Sequence, residues 1–251
     1  MFTAATPVTA IMVTMSTRAF AHRNRRPDLA SPLPGSRLAV FDLDRTLLPG
    51  SSLMILGRAL YRAGLVDSRE LAGWMAREAT FARRGEGAST AQRLLANLLA
   101  SVAGREAAPY LEVARSLGDE LAGAAVPGAR WLLDMHLAVG DFCVVASASP
   151  QELVEAAARA LGAHRAVGTR TQLADGCFTG ALDGPFCHGR GKLARLWVEL
   201  GTADLSEATA YSDSASDLPL LEAAGRPVAV NPDRRLRRAA VAAGWPVVRL
   251  A

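Results

Sequence analysis

The residues of this chain that could do chemistry fall in four short groups. Asp42 and Asp44 lie in Asp42-Leu43-Asp44-Arg45-Thr46, Ser147 and Ala148 follow Val144-Val145-Ala146, Lys192 closes Gly189-Arg190-Gly191-Lys192, and Asp213 and Asp217 bracket Ser214-Ala215-Ser216. Brought to one edge of a sheet, these groups would set carboxylates, a hydroxyl and an ammonium side by side. That density of acid repels itself unless a cation sits among it, and oxygen-only donors of this kind suit Mg²⁺. Of the 28 basic residues Lys192 is the single lysine. In a chain that uses arginine wherever a surface cation will do, a lone lysine marks a place where a compact point charge fits and a planar fork does not.

These groups need elements to hold them. Leu38-Ala39-Val40-Phe41 running into Asp42 has the pattern of a buried parallel strand with a polar residue at its carboxyl end. Phe142–Ala146 running into Ser147 repeats it, and 165–171, 208–212, 227–230 and 247–250 are further strand candidates. Between them come helical segments: Ala129–Leu137, opened by Pro127-Gly128 and stopped by Gly140; a helix with Pro150 in its first turn; Lys192–Leu200; and one from Leu218. Residues 178–182, between Asp175-Gly176 and Asp183-Gly184, read as a small hairpin. Alternating strands and helices imply an α/β class with a doubly wound parallel sheet, whose ligands bind outside the carboxyl ends of the strands. The four groups fall at such ends.

One stretch breaks the alternation. Leu53, Leu56, Leu60, Leu65, Leu71, Trp74, Leu94, Leu95, Leu98, Leu99, Leu111, Val113 and Leu117 keep helical spacing with no strand between them, so 53–124 reads as an inserted all-helical cap on a core made of 37–52 and 125–251. Residues 1–36 carry Pro7, Pro27, Pro32 and Pro34 and no periodicity, and are expected to be a flexible leader.

Composition narrows the class. With 251 residues, 50% hydrophobic and 21% charged, the chain has the make-up of a globular protein and not of a disordered or collagen-like one. Cys143, Cys177 and Cys187 are too few for a disulfide framework, which fits a reducing compartment and a cytoplasmic location. No apolar run approaches the ~20 residues that span a bilayer. The basic pI of about 9.4 suggests nucleic acid until the charge is located: Arg18, Arg23, Arg25, Arg26 and Arg37 against Asp28 account for the whole net charge of +4. A phosphate-tracking groove needs its cations on the folded face, so no nucleic-acid partner is expected, and Arg234, Arg235, Arg237 and Arg238 read as a solvated helix start.

Taken in order, DLDRT at 42–46, VVAS at 144–147, Lys192 in GRGK and SDSASD at 212–217 resemble the four motifs of the haloacid dehalogenase superfamily. The helical insertion after the first motif, and Val230-Asn231-Pro232-Asp233, are similar to its phosphoserine-phosphatase-like subfamily with a type I cap. The resemblance implies a Rossmann-like core and a phosphatase. Asp42 would be the nucleophile, phosphorylated in turnover. Asp44 would be the general acid and base. Thr46 would position the turn, Ser147 and the Ala148 amide would hold a phosphoryl oxygen, and Lys192 would offset the charge shared by Asp42 and the phosphoryl group. Mg²⁺ would be held by Asp42, the Asp44 carbonyl and Asp213, with Asp217 acting through water or from behind.

Asp44 also separates activities, since carbon–halogen hydrolysis needs no leaving-group proton and the superfamily's ion pumps carry Thr there. The expected reaction is Mg²⁺-dependent hydrolysis of a small phosphorylated metabolite. The alternatives are a phosphotransferase with the same aspartyl-phosphate, or an idle phosphate-binding regulatory module, against which the intact motif set argues. Phosphoserine phosphatases carry Glu five residues after the motif Thr; Ser51 stands there, which disfavours phosphoserine. Oligomeric state is not legible. The remaining signals take plainer readings. His136 and Asp141 show an H-x4-D spacing of glycerolipid acyltransferases by coincidence of a helix end and a strand start. Cys177, Cys187 and His188 lack zinc-site spacing. Arg83 and Arg84 are a solvated helix face, and Trp74 and Trp131 are core.

Overall fold

A computed structural model describes residues 37–84, 88–202 and 204–250 of the chain. The expected leader, 1–36, lies outside these residues, as do the side chains of Arg83 and Arg84.

Six parallel strands form one sheet in the order β3-β2-β1-β6-β7-β8: β1 (Leu38–Asp42), β2 (Phe142–Pro150), β3 (Arg165–Thr169), β6 (Thr209–Ser212), β7 (Arg226–Val230) and β8 (Val247–Val248). β1 is central and pairs with β2 on one side and β6 on the other. The chain winds outward from β1 through β2 to β3, then crosses back to β6, so the strand order reverses beside β1. That reversal opens the crevice in which doubly wound sheets bind ligands.

Alternation along the strands makes two cores. Ala39, Phe41, Cys143 and Val145 face one way and pack with Leu133 of α6 (Pro127–Ala138) and Leu153, Val154 and Ala157 of α7 (Gln151–Ala160). Val40, Val144 and Ala146 face the other way, against Leu196 of α8 (Arg190–Leu200), Leu220 of α9 (Leu218–Ala223) and Leu236 of α10 (Arg234–Ala243). Burial on both faces explains why β1 reads as a continuous apolar run.

Between β1 and α6 the chain forms α1 (Ser52–Arg62), α2 (Ser68–Arg84), α3 (Ala88–Val102), α4 (Ala108–Ser116) and α5 (Gly118–Gly123). This helical insertion sits on the edge where the motifs lie. Its two ends meet, because the Val126 amide donates to the Leu47 carbonyl at 2.8 Å. Ala114, Leu117 and Leu121 of the insertion share a core with α7, whose small residues admit them closely.

Three sequence expectations change. β2 runs on to Pro150, beyond Ala146, and Pro150 stands just before α7 instead of inside its first turn. The stretch expected as one strand at 165–171 divides, since β3 stops at Thr169 and β4 (Thr171–Ala174) leaves the sheet to pair antiparallel with β5 (Cys177–Leu182). The hairpin therefore spans both strands around Asp175-Gly176, whose φ values of 49° and 80° make the left-handed two-residue turn that hairpins favour. It also reaches the insertion: the Gly104 and Ala107 amides donate to the carbonyls of Phe178 and Gly176, each at 2.8 Å, and the Phe178 amide donates to Arg105 at 3.0 Å. Finally, Trp131 is 60% exposed on α6 and is not core, whereas Trp74 packs against the core as expected.

Candidate active site

The carboxyl ends of β1, β2 and β6 and the first turn of α8 meet in one cleft of about 240 Å³, whose floor includes Asp42, Asp44, Ala148, Lys192, Asp213 and Asp217. After Asp42 the chain makes a single wide turn, Leu43–Leu47, closed by the Leu48 amide on the Leu43 carbonyl at 2.9 Å. Arg45 in that turn adopts φ 60°, a left-handed conformation uncommon for a residue with a side chain and a frequent mark of functional sites. The turn brings Asp44 back beside Asp42.

Asp42 is 6% exposed. One of its carboxylate oxygens accepts from Lys192 Nζ at 2.7 Å, the other from Thr46 Oγ1 at 3.1 Å. Lys192, 3% exposed, donates equally to Asp217 at 2.6 Å, and Asp217 accepts from Ser212 Oγ at 2.8 Å on the same oxygen. The Asp42 carboxyl is pushed up to about 7, the balance of burial, which raises it most, of Lys192, which lowers it, and of Asp217 and Asp44, which raise it. Burial alone would drain the charge from Lys192, yet Asp217 and Asp42 hold its ammonium well above the ordinary lysine range. Lys192 reaches inward from the first turn of α8, which follows a tight loop. At Gly191 a Cβ would meet the Phe186 carbonyl oxygen at 2.0 Å, so only glycine lets 186–191 fold this closely.

Asp44 accepts from the Ser52 amide at 2.5 Å and from Ser147 Oγ at 2.9 Å, with Ser149 Oγ at 3.3 Å. The structure thus turns the fully buried Ser147 hydroxyl toward Asp44, while Ser149, two residues on and on the same face of β2, lines the cleft. Ser149 also contacts Ser52 Oγ at 2.7 Å. Sequence reasoning missed Ser52 and Ser149, although for Ser149 the alternation Ser147-Ala148-Ser149 was a signal: in a strand, i and i+2 share a face. It took Asp233 only as the end of Val230-Asn231-Pro232-Asp233 and gave it no role. That side chain caps α10 through the Arg235 and Leu236 amides and accepts from the Ala215 amide at 3.0 Å, while its own amide donates to the Asp213 carbonyl at 2.8 Å. Asp233 thereby fixes the loop that carries Asp213 and Asp217. Asp213 is buried, its Oδ1 3.5 Å from Thr46 Oγ1.

The donor set fits a hard divalent cation. Carboxylate oxygens of Asp42 and Asp213 both face the Thr46 hydroxyl, which has one proton to give, so one of them meets an oxygen lone pair. Asp217 Oδ1 is buried without a hydrogen-bond partner. Among the described residues no three His, Cys, Asp or Glu side chains converge on one point. The side chains facing Thr46 would give two carboxylates, leaving further positions to other oxygens and to water, as Mg²⁺ prefers.

The H-x4-D pair does meet, with His136 Nδ1 2.7 Å from Asp141 Oδ2, but Asp141 precedes β2 at the opposite edge of the sheet. The other imidazole nitrogen lies 2.8 Å from the Tyr211 hydroxyl, so the pair ties α6 to the sheet. Among the described residues no helix is long and apolar enough to cross a membrane.

Known proteins resemble this chain in sequence and fold. Residues 39–222 match the haloacid dehalogenase-like hydrolase family. A Streptomyces azureus protein named for inhibition of morphological differentiation is 38% identical over 215 residues, covering 84% of this chain and 77% of its own. A Mycobacterium tuberculosis protein named phosphoserine phosphatase SerB1 is 36% identical over 225 residues, covering 88% and 73%. A Neisseria meningitidis histidinol-phosphatase is 31% identical over 218 residues, covering 84% and 97%. A solved structure from Bordetella pertussis, of unknown function, superposes with a TM-score of 0.66 at 33% identity, over 85% of this chain and 98% of the other.

Proposed function

The chain belongs to the haloacid dehalogenase-like hydrolases as a phosphatase, and from that premise we propose that it hydrolyses a small phosphorylated metabolite through an aspartyl-phosphate on Asp42, with Mg²⁺ as its metal. The observation that carries this reading is Lys192 Nζ lying 2.7 Å from Asp42 with Asp44 alongside, all three on the floor of one cleft.

In the first half-reaction an Asp42 oxygen attacks phosphorus, the bond from phosphorus to the ester oxygen breaks, and Asp44 gives its proton to the departing alkoxide. In the second, water attacks the same phosphorus, Asp44 takes back a proton, and the Asp42 carboxylate leaves. The sum is ester plus water to alcohol plus phosphate. Lys192 offsets the charge that builds between nucleophile and phosphoryl oxygens, and Asp217 keeps its ammonium in line. Ser147 and Ser52 orient Asp44, Ser149 braces the pair, and the Ala148 amide would meet a phosphoryl oxygen. Asp42, the Asp44 carbonyl and Asp213 would hold Mg²⁺, with Asp217 behind; when bound it supplies charge neutralisation on the phosphoryl oxygens.

In this reading 53–124 is the cap over a core of 37–52 and 125–251, and the enzyme works in the cytoplasm. The relatives named for phosphoserine and histidinol phosphate support a phosphorylated metabolite as substrate; Ser51, beside the cleft, weighs against phosphoserine here. The test is release of phosphate from a panel of phosphomonoesters with Mg²⁺ by the protein and by Asp42→Asn. A loss of ~10³-fold or more in the folded variant is expected. Wild-type rates in Asp42→Asn would refute the mechanism.

A further inference from the structure

We propose that the alcohol half of the substrate is apolar: a single-chain alkyl phosphomonoester, with the phosphate on the catalytic floor and its hydrocarbon along the wall made by the insertion. This rests on the phosphatase reading above and narrows it.

The cleft that holds Asp42 and Lys192 continues upward between Met54 of α1, Trp74 of α2, Leu95 and Leu98 of α3, and Tyr110 and Leu111 of α4. Leu95 and Leu98 are three residues apart, hence on one face of α3, and neither is fully buried. Tyr110 brings the one hydroxyl among these six, and it is already engaged: it donates to the Leu65 carbonyl at 2.7 Å and accepts from Arg105 at 2.8 Å. Its ring, not its oxygen, is what a ligand would meet. Among the described residues no side chain that the insertion's helices contribute to the cleft is charged; Arg45 and Glu152, which also line it, belong to the core side.

The chemistry of such a wall is one-sided. Against that wall a substrate carrying an ammonium or a second carboxylate on its alcohol half would lose water and, among the described residues, gain no partner from the insertion, Arg45 and Glu152 offering charge only on the core side; burial without a partner is unfavourable. A hydrocarbon chain would lose nothing and would cover leucine and tryptophan surface that otherwise faces solvent. The floor selects a phosphate and the wall selects what it is attached to.

The experiment is a chain-length series of n-alkyl monophosphates from ethyl to octyl, below their micelle concentrations and with Mg²⁺, beside p-nitrophenyl phosphate, O-phosphoserine and O-phosphoethanolamine. The expected result is a rise in kcat/KM of roughly three- to fourfold per methylene until the cleft is full, carried mainly by KM, with the two ammonium esters below an alkyl ester of similar length. Leu98→Gln should lower the octyl-to-ethyl ratio of kcat/KM by about tenfold, and Leu98→Met should keep it. If a Leu98 variant does not fold, the wild-type series decides alone. A flat or falling series from an enzyme that turns over p-nitrophenyl phosphate overturns this inference and leaves the phosphatase standing. Failure to turn over any ester overturns the phosphatase reading, and the inference with it.

Discussion

The backbone amide of Ser52 donates to the carboxylate of Asp44 at 2.5 Å. Ser52 is the first residue of α1, so the peptide that opens this helix holds the group proposed above as acid and base.

Ser52→Pro removes that donor at a helix position where proline is otherwise tolerated. Turnover of an alkyl phosphate is expected to fall ~10- to 100-fold, the size of a lost hydrogen bond to a charged group. Release of p-nitrophenolate, which needs no proton, should fall less. Ser52→Ala keeps the amide and loses only the Ser149 contact, so it should stay within a few-fold of wild type. The kcat/KM values on both substrates, which report the first half-reaction, check this; equal losses in kcat/KM on the two would disconnect the amide from proton transfer to the leaving group.

Lys192→Arg keeps the charge and should still fail. The ammonium fits between Asp42 and Asp217 at 2.7 and 2.6 Å, and the wider guanidinium must displace one of them. A misplacement of about 1 Å costs ~10²-fold in rate. Lys192→Ala leaves buried carboxylates facing each other and should also lose about 3–5 kcal/mol of stability. Turnover rates, with urea unfolding followed by circular dichroism, separate the two effects; near-normal turnover by the Arg variant would make the single lysine an accident of composition.

Mg²⁺ should stabilise the protein it binds. At a hundredfold excess over its Kd the gain is about 2.7 kcal/mol, which for a chain of this size raises Tm by roughly 5–10 °C. Chelation should abolish turnover and reverse the shift. Asp213→Asn should remove most of the shift, because Asp213 gives one of the two carboxylates facing Thr46. A thermal scan with and without Mg²⁺ measures this, and an unchanged shift in the variant would take Asp213 out of the metal site.

The three thiols should differ in reactivity. Burial pushes Cys143 and Cys187 up to about 12, with Asp141 adding to the effect at Cys143, so neither supplies thiolate at neutral pH. Cys177 is only partly buried, at the start of β5. Native alkylation at pH 8 followed by peptide mass mapping should modify Cys177 first, and label on Cys187 in folded protein would contradict its burial.

What the sequence disclosed followed from how strongly each feature is constrained locally. Asp42, Asp213 and Lys192 were legible because a strand buried on both faces must end abruptly in polar residues, and because a single lysine stands out among arginines. The insertion was legible because helical spacing ran without a strand from Leu53 to Leu117. The division at Arg170 was not, since Thr169 and Thr171 are equally suited to a strand and only tertiary pairing sends one to the sheet and the other to the hairpin. Trp131 read as core because size and apolarity argue for burial, but α6 turns that face outward. Ser52, Ser149 and Asp233 act through amides and hydroxyls contributed by distant segments, and such partners leave no periodic trace.

The hydrogen bonds between the β4–β5 hairpin and residues 104–107 bear on how portable the insertion is. Cut at its two joined ends and grafted onto another core, 53–124 would leave behind the Gly176 and Phe178 carbonyls that satisfy Ala107 and Gly104, and would arrive with those amides bare. The transferable module is therefore discontinuous: the helices and the hairpin have to travel together, and a chimera that swaps only one of them should lose the docking of both.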